Sequence, residues 1–237
     1  MDSVGLFRPH FRHLAEQADL LVLAGDLTRC GEPSEAEVLA SELADLTVPK
    51  VAVLGNHDYQ ADRPDEVSRL LEAVGVKVLE GAATVLQIGD ASLGVAGVKG
   101  FGGGFVGACA SAFGEPEMKR FVTHTEEIAG MLESALAGLR ADRRLALLHY
   151  SPVEETLVGE HPGVYPFLGS YLLAEAIDRA GADLVVHGHA HRGSARGATP
   201  GGVPVRNVAQ PVLGRAYQVF NLSGRRSEQS GAPVPWS

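Results

Sequence analysis

The sequence predicts an α/β fold, and three observations predict it. Short runs rich in Val and Leu recur along the chain, stretches of helical periodicity lie between them, and several of the runs end in Gly, Asp, Asn or His. Alternating strand and helix patterns of this kind build layered sheets flanked by helices. In open α/β sheets the carboxyl ends of strands form the ligand site, so residues delivered there are candidates for chemistry.

In chain order, Phe7, Phe11, Leu14 and Ala18 share one face at helical spacing, with His10 toward the core side. Residues 19–24 (DLLVLA) read as a strand ending in Gly25 and Asp26. Residues 33–46 read as a helix with Pro33 in its first turn and glutamates early, which suits the positive end of the helix dipole. Residues 50–54 (KVAVL) form a second strand, ending in Gly55, Asn56, His57 and Asp58. Residues 64–74 are helical; 76–79, 84–88 and 92–97 are strand-like; 115–139 are helical. Residues 144–148 (RLALL) end in His149, and residues 183–187 (DLVVH) end in Gly188, His189, Ala190 and His191, after a helix over 168–180 that stops at Gly181. Segments 203–207 and 217–221 read as late strands. Short Val- and Leu-rich runs without alternation suit strands buried on both faces. Residues 1–222 read as one domain, and 223–237, polar with Pro and Gly, as a loose tail.

Composition narrows the function. Of 237 residues, 45% are hydrophobic and 21% charged, an ordinary globular balance with room for a sizeable core. No apolar run nears the roughly 18 residues that span a bilayer, and the first residues lack the pattern of a signal peptide. Cys30 and Cys109 stand far apart in no metal spacing, which fits a reducing compartment, so no membrane and a cytoplasmic location are expected. A net charge of −9 disfavours nucleic acid as a partner but not a small phosphorylated substrate, because bound divalent cations reverse the charge of a site.

Asp26, Asn56, His57, Asp58, His149, His189 and His191 therefore converge from four strand ends. Their donors are oxygen and imidazole nitrogen without thiolate, which suits Mn, Fe, Zn, Ni or Co. A carboxylate bridges two cations, and a pair of divalent ions can grip a phosphate and generate a hydroxide for in-line attack on phosphorus.

The ordered set of Gly25 and Asp26, then Gly55 to Asp58, then His149, then Gly188 to His191 resembles the motifs of calcineurin-like metallophosphoesterases. The resemblance implies a four-layer α-β-β-α sandwich of two mixed sheets with the ligands at one edge, one or two divalent metal ions, and hydrolysis of a phosphomonoester or phosphodiester. It implies that Asp26 bridges two metals, that Asn56, His149 and His189 complete the second, and that His191 belongs to the first. His57 would hold or protonate phosphate or leaving-group oxygens, with Asp58 fixing its orientation; an imidazole beside a carboxylate suits that task on residue type alone.

The family opens with a strand ending in Asp-x-His, and no such triplet occurs in this chain. The fold is therefore expected to lack its first strand. Either the chain starts at an internal Met, or it is a shortened protein with one metal or a non-catalytic binding role, in which case apolar surface and unpaired backbone would be left exposed. Segment 100–107, rich in Gly, reads as a mobile loop whose Phe101 and Phe105 wall a pocket, and Tyr59 and Tyr150 follow ligand residues directly. His187 points away from the ligands by alternation and reads as structural, and His124 as solvent-facing.

Overall fold

The computed structural model describes residues 8–222, so the tail expected over 223–237 and Phe7 of the first helical face lie outside the described residues. Two short helices, Arg8–Phe11 (α1) and Leu14–Gln17 (α2), lead into strand Leu21–Ala24 (β1), helix Pro33–Leu43 (α3), strand Lys50–Val53 (β2), helix Pro64–Glu72 (α4) and strand Val76–Val78 (β3). Strands Ala82–Ile88 (β4) and Ala91–Val98 (β5) follow, then a hairpin of Gly104–Phe105 (β6) and Ala108–Cys109 (β7), and the long helix Pro116–Gly138 (α5). The chain continues through Arg143–Leu148 (β8), Tyr165–Leu168 (α6), Tyr171–Ala180 (α7), Leu184–His187 (β9), Arg196–Ala198 (β10), Pro204–Asn207 (β11) and Gln210–Leu213 (α8). Pro occupies the first turn of α3, α4 and α5, where its missing N–H costs nothing. The Ser170 hydroxyl caps α7 by accepting from Leu172 N, and Gly181 ends it at φ 86°.

The strands form a three-stranded sheet, β1-β2-β3, and a six-stranded sheet, β10-β11-β9-β8-β5-β4. The larger is mixed: β11, β9, β8 and β5 run parallel, with β4 and β10 antiparallel at its edges. The smaller is parallel throughout, not mixed as expected. Three core layers separate the sheets and helices, and period-two alternation decides which layer each side chain enters. Along β2, Val51 and Val53 pack between the sheets with Leu93, Val95, Leu145, Leu147, Leu184 and Val186. Their neighbours Ala52 and Leu54 face the opposite way, toward Ala36, Leu43, Val67 and Leu71 of α3 and α4. On the larger sheet Ala96, Val98, Ala146, Leu148 and Val185 turn outward onto Leu132 and Leu136 of α5 and Leu173 and Ile177 of α7. The result is the α-β-β-α sandwich. Each fully buried leucine in it, Leu147 and Leu148 on opposite faces of one strand among them, contributes about 1.5–3 kcal/mol.

Among the described residues nothing pairs with the outer edge of β1, and a groove of about 1570 Å³ opens beside it. Leu20, Val22, Leu93, Leu145, Leu184 and Phe220 line the groove, and it reaches Asp26, His149 and His189 at one end.

Three expectations are corrected. Residues 217–221 form no strand; Phe220 and Leu222 pack against the inter-sheet layer without joining a ladder. His10 is exposed, because α1 is only one turn long and Phe11 carries its burial. The 100–107 segment is tied down: Gly103 N donates to Pro166 O (2.7 Å), Gly104 N to Gly169 O (3.0 Å) and Ala110 N to Gly103 O (2.8 Å). Its Phe105 is buried with Leu157 and Ala190.

Candidate metal centre

Register brings four strand ends together. Ala24 stands opposite Val53 in the small sheet, and Leu147 opposite Val186 in the large one, so the loops after β1, β2, β8 and β9 meet at one edge of the sandwich. Glycine lets them approach. A Cβ on Gly25 would stand 2.5 Å from His149 Nδ1, and one on Gly55 would overlap the backbone N and Oδ1 of Asp26. Asp26 (φ 52°) and His189 (φ 66°) both adopt the left-handed region, a strain of roughly 1–3 kcal/mol each that clusters at functional sites.

Asp26, His149 and His189 present ligand atoms that all lie within 4.8 Å of one another. Hydrogen bonds fix how they point. His149, buried, places Nδ1 2.8 Å from the Ala24 carbonyl. A carbonyl only accepts, so Nδ1 carries the proton and Nε2 is left with its lone pair. That Nε2 faces Asn56 Oδ1 at 2.9 Å and Asp26 Oδ1 at 3.2 Å. Three acceptors thus converge on one point, an arrangement that calls for a cation among them. His189 Nε2 donates to Phe167 O at 3.4 Å, which leaves Nδ1 as its free donor atom. Burial pushes His189 down to about 3, so its imidazole is neutral and able to ligate. The oxygen and imidazole donors here fit a borderline divalent ion. His191 is exposed beside this cluster at the mouth of the groove and is not part of it.

His57 and Asp58 do not act on each other. His57 Nδ1 bonds the Arg29 carbonyl at 2.7 Å, its backbone N donates to Asp26 Oδ1 at 3.1 Å, and its Nε2 lies 4.0 Å from Asp26 Oδ2. Asp58, expected to orient His57, is fully buried and turned the other way. Its Oδ1 accepts from Thr28 N (2.7 Å) and Thr28 Oγ1 (2.6 Å), and its Oδ2 from Gly55 N (2.7 Å) and Leu27 N (3.1 Å). It clamps the loop that carries Asp26 to the loop that carries Asn56. The backbone turn of the 3₁₀ segment His57–Tyr59 sends successive side chains in different directions, which explains why neighbours in sequence are not partners.

A family model for the calcineurin-like phosphoesterases matches residues 6–193. The chain belongs to that family. These phosphoesterases are hydrolases of phosphoesters that work with divalent metal ions, which agrees with the donor set described. A search of curated proteins returned no match. Among solved structures, a phosphopantetheinyl hydrolase from Mycobacterium tuberculosis superposes with a TM-score of 0.61 at 17% identity, covering 81% of this chain and 79% of its own. A protein from Thermus thermophilus gives 0.54 at 20% identity, with 87% and 81% covered. A putative 5'-nucleotidase from Staphylococcus aureus gives 0.52 at 18% identity, covering 85% of this chain and 42% of its own. At such identities these likenesses show the fold alone. No helix among the described residues is long and apolar enough to cross a membrane.

In this phosphoesterase further residues support the site, and of these Asn207 alone had no signal in the sequence. His187, buried beneath the site, bonds Thr156 Oγ1 and the Gly188 carbonyl, both at 2.8 Å, as a structural residue. Asn207 Nδ2 donates to Ala190 O at 2.8 Å, so both sides of the strained His189 turn are braced. His124 is exposed and meets the Phe101 ring edge-on. Tyr150 flanks both His149 and His189, with ring centroids 5.6 and 4.4 Å away.

Proposed function

We propose that the protein hydrolyses a small phosphomonoester or phosphodiester at the edge where Asp26, Asn56, His149 and His189 meet. The convergence of His149 Nε2 with two acceptor oxygens, at 2.9 and 3.2 Å, carries this reading. Asp26, Asn56, His149 and His189 hold one divalent cation, and His191, at the rim, is assigned with Asp26 to a second. A cation bound there supplies the positive charge that draws in phosphoryl oxygens and acidifies water into a nucleophile.

The protein's own groups do the rest. The Ala24 carbonyl keeps the His149 proton on Nδ1, so Nε2 stays available as a ligand. The Arg29 carbonyl likewise holds His57 through Nδ1 and leaves Nε2 facing the cleft. A proton carried at His57 Nε2 passes to the oxygen of the departing alcohol. Asp58 keeps the two ligand loops in register.

The test is release of nitrophenolate from p-nitrophenyl phosphate and from bis(p-nitrophenyl) phosphate with Mn²⁺. Turnover of at least one is expected. It is abolished in Asp26→Ala and His149→Ala and lowered about 10²–10⁴-fold in His57→Ala with metal binding kept. Turnover retained in His149→Ala contradicts the proposal.

A further inference from the structure

Lys99 follows β5 directly, where β5 runs beside β8 with Val98 opposite Leu148, so it stands level with His149 at the sheet edge. Its carbonyl accepts from the backbone N of both His149 and Tyr150 at 3.0 Å. By alternation its side chain leaves the sheet on the same side as Leu93 and Val95, toward the loop after β2. The residue is only 8% exposed. Its ammonium lies 4.9 Å from the centroid of the Tyr59 ring, 5.2 Å from Phe101 and 5.4 Å from Tyr150. Tyr59 comes from the loop that carries Asn56, and Tyr150 follows His149 and packs its ring 4.4 Å from that of His189. The Tyr150 ring therefore touches both the ammonium and the metal-ligating imidazole.

The ammonium is poorly matched within the protein. A lysine offers three N–H donors. Here the hydrogen bond it makes is a long one, 3.3 Å, to the Gly100 carbonyl next to it in the chain. Among the described residues no carboxylate lies within ion-pair distance of it. Glu80, the nearby acid, spends its oxygens on backbone groups, Leu54 N at 3.2 Å and Lys99 N at 3.5 Å. Three ring faces and the charge of nearby Glu80 recover part of the lost hydration, but a buried ammonium with no direct ion pair and one long hydrogen bond remains costly until an anion arrives.

We propose that Lys99 is a specificity-determining residue that meets the second negative charge of a phosphomonoester, so that the site selects a dianionic monoester over a monoanionic diester. This rests on the phosphoesterase reading above and decides between its two substrate classes. The rings of Tyr59, Phe101 and Tyr150 hold the ammonium in place and exclude water around it, which strengthens its pull on a phosphoryl oxygen.

The experiment is calorimetric titration of the Mn²⁺-saturated protein with inorganic phosphate and with dimethyl phosphate, in wild type, Lys99→Met and Lys99→Arg. Methionine keeps the length and suits an aromatic cage without the charge. Lys99→Met is expected to weaken phosphate binding about 10–100-fold and dimethyl phosphate less than fivefold, with Lys99→Arg recovering most of the loss. Phosphate affinity within threefold of wild type in Lys99→Met overturns the proposal, as does an equal loss for both ligands, which marks a merely structural lysine. Should Lys99→Met not fold, wild type alone decides: phosphate at least tenfold tighter than dimethyl phosphate supports the proposal, and equal affinities overturn it. Phosphate binding that depends on Lys99 without any hydrolysis contradicts the hydrolase reading and leaves Lys99 in place. Hydrolysis with phosphate binding indifferent to Lys99 does the reverse.

Discussion

Asp58→Asn separates the role the structure gives Asp58 from the one its position beside His57 suggests. The carboxylate accepts four hydrogen bonds, two on each oxygen, and all four donors belong to the loops after β1 and β2. Asparagine keeps one acceptor oxygen. If that oxygen serves the Thr28 pair, the amide NH₂ is turned onto the N–H groups of Leu27 and Gly55, donor against donor. Two partly or fully buried N–H groups then lose their acceptor, at about 1–3 kcal/mol each. Burial pushes the Asp58 carboxyl upward, so removing its charge returns some of that. The balance is a loss of about 2–4 kcal/mol, or roughly 5–15 °C in Tm for a chain of this size. Because the clamped loops bear Asp26 and Asn56, metal affinity should fall about 10–100-fold as well. Urea unfolding without metal and a metal titration measure the two effects. An Asp58→Asn protein within 0.5 kcal/mol of wild type and equal in metal affinity, but slow in turnover, would refute the clamp and restore a direct action on His57.

Two glycine substitutions test the loop packing in opposite directions. Gly55→Ala drives a Cβ into the backbone and carboxylate of Asp26, so metal affinity should drop at least tenfold, read by calorimetry. Gly130→Ala, within α5 with open space around the added Cβ, should instead raise the unfolding free energy by about 1 kcal/mol and leave metal binding unchanged.

The strands that carry the site were legible because each is a short Val- and Leu-rich run followed at once by a ligand-type residue, as at Val53 before Gly55 and Asn56. The layering was legible through alternation: Leu145 and Leu147 face one sheet, Ala146 and Leu148 the helices. The hydrogen bonds that aim the ligands were not. Ala24, Arg29 and Phe167 act through backbone carbonyls, which leave no trace in side-chain identity. Asp58 misled because adjacency in sequence implies contact only where the backbone is regular, and it sits in a 3₁₀ turn. Residues 217–221 carry apolar residues like those of a strand, yet strand formation needs a partner edge as well as a pattern. Lys99 gave no signal: a lone lysine after a strand reads as surface, and only the three rings gathered from separate loops make it unusual.

The central claim is that His149 Nε2, Asp26 and Asn56 converge on a cation, and the most direct measurement is a titration of the metal-free protein with Mn²⁺ or Zn²⁺, followed by calorimetry and thermal unfolding. Binding is expected to saturate and, at about 100 times Kd, to stabilise the fold by about 2.7 kcal/mol, with both effects lost in His149→Ala. A wild-type protein that neither binds nor gains stability at millimolar metal, or a His149→Ala variant that binds as wild type does, would contradict the account.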